Sequence, residues 1–323
     1  MVWDAVGRTP LIKIHSLSEM TGCEILGKAE FLNPGGSIKD RAAKGIILEA
    51  ERSGKLAKGG TIVEGTAGNT GIGLATLAAE RGYKVIISMP DNQSDEKYQI
   101  LRALGAELRL VPPCPFVNEN HFYHQARKIA EKVPGAFWAN QFENLANSQF
   151  HYETTGPEIW EQTGGKMDFV TLSVGTGGTI GGVGRYLKER NPKIGVVLAD
   201  PMGSGLYSNV TTGEIKSQGT SVTEGIGIMR ITANFRATHV DEAFQIDDKL
   251  MMNMLYHVAK HDGLLVGTSS ALNLASAYSL GKRHQDKGKK IVTFLCDHGS
   301  RYASRVFNDR WLTEKGLFPE PLA

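Results

Sequence analysis

From position 60 onward, short runs of β-branched and apolar residues alternate with segments of helical period. That alternation restricts the chain to βαβ units built on open, mostly parallel sheets. Thr61–Glu64, Tyr83–Met89 and Glu107–Val111 read as strands, separated and followed by helices over Asn69–Arg81, Asp95–Leu104 and Glu119–Lys132. A second series follows the loop around Gln141: strand Phe169–Val174, helix Gly178–Arg190, strand Ile194–Ala199, helices Asp247–Lys260 and Ser269–Lys282, and strand Lys290–Leu295. The pattern predicts an α/β protein with two open twisted sheets and flanking helices. A smaller domain is expected over 1–145, with its first 35 or so residues packing partly on the other domain, and a larger one over 146–323. Leu250, Met251, Met254, Leu255 and Val258 fall at core spacing on one predicted helix, as packing or a subunit contact.

Composition narrows the function. The 36 Lys and Arg against 34 Asp and Glu leave a net charge of +2, so no global field draws the chain to nucleic acid or anionic lipid. No stretch approaches the roughly 18 unbroken apolar residues of a membrane span. A small-molecule partner is therefore expected. Cys23, Cys114 and Cys296 lack any C-x-x-C spacing and suit reduced thiols, and Met1–Asp4 shows no export signal, so a cytoplasmic location is expected. His257 with His261, and His121 with His124, have helical spacing but no third ligand; they read as exposed helix residues, and no metal is expected.

The 38 glycines gather in short clusters, which permit close backbone approach to a ligand. In open α/β sheets ligands bind beyond the carboxyl ends of strands, which singles out the loops after Glu64 and Val174. Glu64-Gly65-Thr66-Ala67-Gly68-Asn69-Thr70-Gly71 passes from a strand through small polar residues into a helix start, where free N–H groups suit an anion or serve only as an N-capped turn. Ser173-Val174-Gly175-Thr176-Gly177-Gly178-Thr179-Ile180 repeats that logic and suits a phosphate, although Ile180 breaks the dinucleotide fingerprint and no P-loop Lys-Ser/Thr ending follows. In Asn33-Pro34-Gly35-Gly36-Ser37-Ile38-Lys39-Asp40-Arg41, Ser37 is the expected N-cap of a helix over Ile38–Glu49. Lys39 sits in its first turn, where the helix dipole favours a deprotonated amine. A solvated lysine offset by Asp40 is the simpler reading of that segment alone.

With these segments in this order, the chain resembles the cysteine synthase (O-acetylserine sulfhydrylase) and cystathionine β-synthase family of pyridoxal-phosphate enzymes, of the tryptophan-synthase-β fold type, fold type II. The likeness runs from Gly7-Arg8-Thr9-Pro10-Leu11 through Asn140-Gln141-Phe142, Glu153–Trp160 and Gly225-Ile226-Gly227 to Gly267-Thr268-Ser269-Ser270, covering roughly residues 5 to 310. By that resemblance Lys39 would form the Schiff base with pyridoxal 5'-phosphate and remove the substrate's Cα proton. Asn69 would bond the ring hydroxyl, Gly175, Thr176, Gly177, Gly178 and Thr179 would hold the phosphate, and Ser269 would meet the pyridine nitrogen. Thr66, Ala67, Gly68, Thr70, Gln141 and Gly225 would bind the amino-acid substrate. The implied reaction is β-replacement, giving L-cysteine from O-acetyl-L-serine and sulfide through a bound α-aminoacrylate. The resemblance also implies a homodimer and a cleft that can accept the C-terminal tail of a serine acetyltransferase.

Four departures bear on the substrate. Ala67 stands where the family commonly has a serine, Ala271 where it has a glycine, and Ile228–Phe235 replaces a small glycine-containing segment. That segment brings Arg230 and Arg236 toward the expected site entrance, to bind the phosphate of O-phosphoserine or a second carboxylate or, as the simpler expectation, to stand in solvent. The ending Cys296-Asp297-His298-Gly299-Ser300-Arg301-Tyr302 also differs, with Cys296 expected as a small buried hydrophobe. The alternatives within this chemistry are an O-phosphoserine sulfhydrylase, a cystathionine β-synthase, a cysteine desulfhydrase, or a non-catalytic regulatory homologue that binds the cofactor. No haem-binding or regulatory domain is recognised.

Overall fold

A computed structural model of the chain describes residues 1–285 and 287–322. Its ten strands are β1 (Leu11–Lys13), β2 (Glu24–Lys28), β3 (Thr61–Gly65), β4 (Lys84–Pro90), β5 (Glu107–Val111), β6 (Ala136–Trp138), β7 (Phe169–Ser173), β8 (Gly195–Pro201), β9 (Glu242–Ile246) and β10 (Lys290–Phe294). They form two sheets, one ordered β1-β2-β10-β7-β8-β9 and one ordered β5-β4-β3-β6. Every pairing is parallel except β1 with β2.

Parallel strands are covered on both faces by their crossover helices, which is why β3, β7 and β8 are buried at nearly every position and carry adjacent apolar residues. Ile62, Val63, Val170, Val196 and Leu198 are all fully buried. The helix Thr268–Arg283 lies in the core of the larger sheet and buries most of its circumference; its small residues Ala271, Ala275, Ser276 and Ala277 allow that close approach. Met251, Met254, Leu255 and Val258 join the same cluster, with Leu250 packed against it, so their spacing is that of core packing. Ala271 is among these fully buried residues, away from the cavity described below.

Several boundaries differ from the sequence reading, each for a local reason. The helix carrying Lys39 runs Lys39–Arg52, and its N-cap position is Ile38 instead of Ser37. Ser37 still serves the helix start, because its Oγ accepts from Lys39 N at 3.2 Å. The helix expected from Glu119 starts at Phe122, because the His121 ring caps it: Nδ1 accepts from Tyr123 N at 3.2 Å. Among the described residues no helix is long and apolar enough to cross a membrane.

Candidate active site

Loops at the carboxyl ends of β3 and β7 face each other across a cavity of about 400 Å³, closed on its remaining sides by the start of the Lys39 helix, Gln141, the segment 223–230 and Ser269. Lys39, Thr66, Ala67, Gly68, Asn69, Thr70, Gln141, Gly175, Thr176, Gly177, Gly178, Thr179, Gly225 and Ser269 all line it. Positions that span 230 residues of chain thus converge on one volume. Arg230 and Cys296 line it too, whereas Arg236 is exposed at the end of a short helix and stands outside it.

Lys39 is the first residue of its helix, and its Nζ has no hydrogen-bond partner among the described residues. Burial holds its ammonium below the ordinary lysine range, against the opposing pull of Cys296 and Asp297. A lysine in that state supplies a neutral amine more readily than a surface one.

The wall after β3 is stiffened by short polar links. Gly68 N donates to Thr66 Oγ1 at 3.1 Å, Thr70 Oγ1 donates to Gln141 Oε1 at 2.5 Å, and Gln141 Nε2 donates to the Gly65 carbonyl at 3.1 Å. Below them Glu64 accepts from Gly65 N and Gln141 N, and burial pushes its carboxyl up to about 8. Asn69 is held at both ends of its amide, its Nδ2 donating to Asp297 Oδ2 at 2.7 Å and its Oδ1 accepting from Arg301 Nη1 at 2.6 Å.

The wall after β7 is a glycine cradle at the N-terminus of the helix Gly178–Arg190. Gly177 has φ +84°, and a Cβ there would stand 2.7 Å from Phe235 N. A Cβ on Gly175 would collide with the Gly225 carbonyl, and one on Gly178 with the Asn147 side chain. Glycine thereby lets the loop pack tightly against these neighbours while it lines the cavity, and the first-turn N–H groups have no intrahelical acceptor. Asn147, which no spacing in the sequence marks, ties the two walls together: its Nδ2 donates to the Gln141 carbonyl and to Thr176 Oγ1, both at 3.0 Å. His151, buried in a π-helical turn, reaches Thr179 Oγ1 with Nε2 at 3.3 Å.

Three expectations require correction. Arg230 is half-buried, ion-paired with Glu143 and stacked over Phe116 at 4.4 Å and over Tyr123 and Phe142 at 5.1 Å, so it is not a free loop arginine. Aromatic faces attract the guanidinium and the carboxylate neutralises it, which leaves little charge to offer an anion. His121 and His124 are not exposed helix residues; they sit in the same aromatic cluster, and burial lowers His121 to about 4. Cys296 packs against the hydrophobic core as expected but is not sealed in it, because it also lines the cavity, where its Sγ accepts from Asn273 Nδ2 at 3.3 Å; burial pushes its thiol up to about 12.

A family model described as pyridoxal-phosphate dependent enzyme matches residues 2–297. The chain belongs to this family. Among curated relatives, a cysteine synthase 1 of Neurospora crassa is 50% identical over 98% of this chain and 86% of its own length. A cysteine synthase of Dictyostelium discoideum is 49% identical over 96% of this chain and 85% of its own length. Among solved structures, an O-acetylserine dependent cystathionine beta-synthase from Helicobacter pylori superposes with a TM-score of 0.86 at 35% identity, covering 94% of this chain and 97% of that one. A hydrogen sulfide-producing enzyme from Fusobacterium nucleatum gives the same TM-score at 34% identity, over 94% and 99% of the two chains. The two-sheet α/β architecture is thus that of fold type II pyridoxal-phosphate enzymes.

Family membership makes the chain a pyridoxal-phosphate dependent enzyme, and its residues fit that group. The glycine cradle lines the cavity at the N-terminus of the helix Gly178–Arg190, where first-turn N–H groups suit a phosphate, and a lysine with a lowered ammonium pKa faces the same cavity. A neutral hydroxyl, Ser269, stands at the start of the helix Thr268–Arg283 where an aromatic nitrogen can be met.

Proposed function

We propose that the enzyme forms L-cysteine from O-acetyl-L-serine and sulfide by β-replacement. The observation that carries this reading is the convergence of Lys39, the 175–179 cradle and the 66–70 loop on one cavity, in a chain half identical to a cysteine synthase. In this reading the N–H groups of 175–179 hold the cofactor phosphate, Asn69 the ring hydroxyl and Ser269 the ring nitrogen. When bound, pyridoxal phosphate supplies the electron sink that acidifies the amino acid's Cα–H and lets its β-substituent depart.

The remaining work falls to side chains. Lys39 Nζ is the amine that would hold the cofactor and that would take the Cα proton. Thr66, Gly68, Thr70 and Gln141 hold the substrate carboxylate, with Ala67 and Gly225 shaping the space around it. A neutral Ser269, in place of a carboxylate, keeps the ring a modest electron sink, which favours β-elimination over deeper carbanion chemistry.

The decisive experiment is the visible spectrum of the purified protein before and after O-acetyl-L-serine and then sulfide. A yellow band that shifts with the first and returns with the second is expected. A yellow protein indifferent to O-acetylserine moves the reading to O-phosphoserine, serine or cysteine as substrate. The likeness to a cystathionine beta-synthase favours one second reading, an amino-acid thiol as acceptor. Turnover with homocysteine but none with sulfide would establish that instead.

Ala67 allows a finer test. A serine there adds one hydrogen bond to the carboxylate subsite, worth about 0.5–1.5 kcal/mol. Ala67→Ser is expected to lower the KM for the amino acid several-fold at similar kcat; a raised KM would place position 67 outside the subsite. Three further parts of the reading rest on the family resemblance: a homodimer, checked by light scattering; binding of a serine acetyltransferase C-terminal peptide in the cleft, checked by competition with O-acetylserine; and a cytoplasmic location, checked by cell fractionation.

A further inference from the structure

Lys97 is a buried cation in the cavity wall for which the proposed reaction has no use. It projects from the helix Asp95–Ala103 and donates to Glu224 Oε2 at 2.5 Å, with side-chain exposures of 2% and 5% for the two partners. Desolvating both ions is costly, and a pair of apolar residues would fill the same space more cheaply. The pair's neighbours suggest what it accomplishes.

On one side, the methylenes of Lys97 lie against Gly68: a Cβ there would stand 2.6 Å from Lys97 Cδ, and the backbone at Gly68 has φ +137°. That is the middle of the loop after β3. On the other side, Glu224 precedes Gly225, whose carbonyl packs directly against Gly175 of the glycine cradle. Arg305 Nη1 stands 3.1 Å from Glu224 Oε1, anchoring the carboxylate from outside. Lys97 Nζ also lies 4.7 Å over the Tyr302 ring, whose hydroxyl donates to the same Asp297 Oδ2 that accepts from Asn69. One lysine side chain therefore links the 66–68 loop, through its methylenes against Gly68, to the 224–225 wall, through its ammonium on Glu224.

We propose that the Lys97–Glu224 ion pair is a positioning clamp for the amino-acid substrate, holding the 66–68 loop opposite Gly225 at the spacing its carboxylate requires. The inference rests on the reading of 66–70 as the carboxylate subsite. Neither residue takes part in the bond changes, so the clamp acts on affinity more than on chemistry.

The test uses the cofactor-loaded enzyme with L-serine as the probe, its binding followed by the shift of the visible band, beside KM and kcat with O-acetyl-L-serine and sulfide. Lys97→Met and Glu224→Gln are each expected to raise the L-serine Kd and the KM by about tenfold or more, since the first removes the contact to Gly68 and leaves Glu224 to Arg305 alone, and the second leaves the Lys97 ammonium buried without its carboxylate. Expected kcat stays within about threefold of wild type. Lys97→Arg, which keeps the charge, is expected to recover most of the affinity, and Glu224→Gln keeps the volume if Lys97→Met misfolds. Unchanged Kd and KM in Glu224→Gln overturn the clamp. So does a parallel fall of kcat, affinity and melting temperature that Lys97→Arg fails to correct, which marks a general packing role. A wild-type enzyme that binds no amino acid overturns the proposed function and the clamp together, whereas equal binding by wild type and variants overturns the clamp alone.

Discussion

Lys39→Ala is expected to abolish cysteine formation while leaving the cofactor-free protein as stable as cofactor-free wild type. Loss of the proton transfer alone is worth about 10²–10⁴-fold in kcat, and loss of the covalent anchor adds to it. Stability is expected to hold because Lys39 Nζ has no hydrogen-bond partner among the described residues, so its removal orphans no acceptor. Burial already holds its ammonium below the ordinary lysine range, and taking that cation out of the cavity removes a desolvation cost. Lys39→Arg is expected to be no better than alanine, since a guanidinium does not surrender its proton near neutral pH. The measurements are turnover with O-acetyl-L-serine and sulfide, and thermal melting of the two variants beside wild type, all three stripped of cofactor. A Lys39→Ala protein that keeps a tenth of the activity would remove Lys39 from the proposed chemistry.

Both the architecture and the location of the cavity were legible in the sequence because they rest on short-range signals. Parallel strands buried on both faces leave short runs with adjacent apolar and β-branched residues, and a loop that must bring backbone close to a ligand leaves clustered glycines. β3, β7, β8 and β10 carry the first signal and 175–178 the second. What escaped has no such local mark. β9, Glu-Ala-Phe-Gln-Ile, is a half-buried edge strand whose apolar residues are interrupted by Gln245, and β1 and β6 have three residues each. Lys97 sits in Asp-Glu-Lys-Tyr-Gln, which reads as a solvated helix face, and its partner lies 127 residues away. Asn147 and the aromatic cluster around Arg230 are likewise assembled only by the fold. Charge, in particular, misleads when read alone: Arg230 and Lys97 are cations whose partners come from distant segments, so neither is free to take a ligand's charge.

Glu158→Gln is expected to destabilise the enzyme by about 3–5 kcal/mol near neutral pH, the usual consequence of removing one partner from a buried ionic cluster. Two cations and two anions meet there. Arg41, fully buried two residues after Lys39, gives its Nε and Nη2 to Glu30 at 2.8 and 2.9 Å, and its Nη1 and Nη2 to Glu158 at 2.7 Å each. Lys28 Nζ adds a bond to Glu158 Oε2 at 2.7 Å. Burial alone would raise the Glu158 carboxyl pKa, but the Arg41 hydrogen bonds and charge, with Lys28, outweigh it and hold the carboxyl at about 2. Its folded value lies below the ordinary one near 4.5, so the stabilisation is complete above about pH 4.5 and is lost as pH falls through about 2. That difference corresponds to about 3 kcal/mol, consistent with the mutational expectation. A protonated glutamate and a glutamine are alike in charge, so the gap between wild type and Glu158→Gln should be widest at neutral pH and close toward pH 2. Urea unfolding of both proteins between pH 7 and 2 measures this directly. A gap that stays constant with pH would mean that Glu158 contributes through shape and neutral hydrogen bonds, and that the charge balance around Arg41 does not hold the start of the Lys39 helix in place.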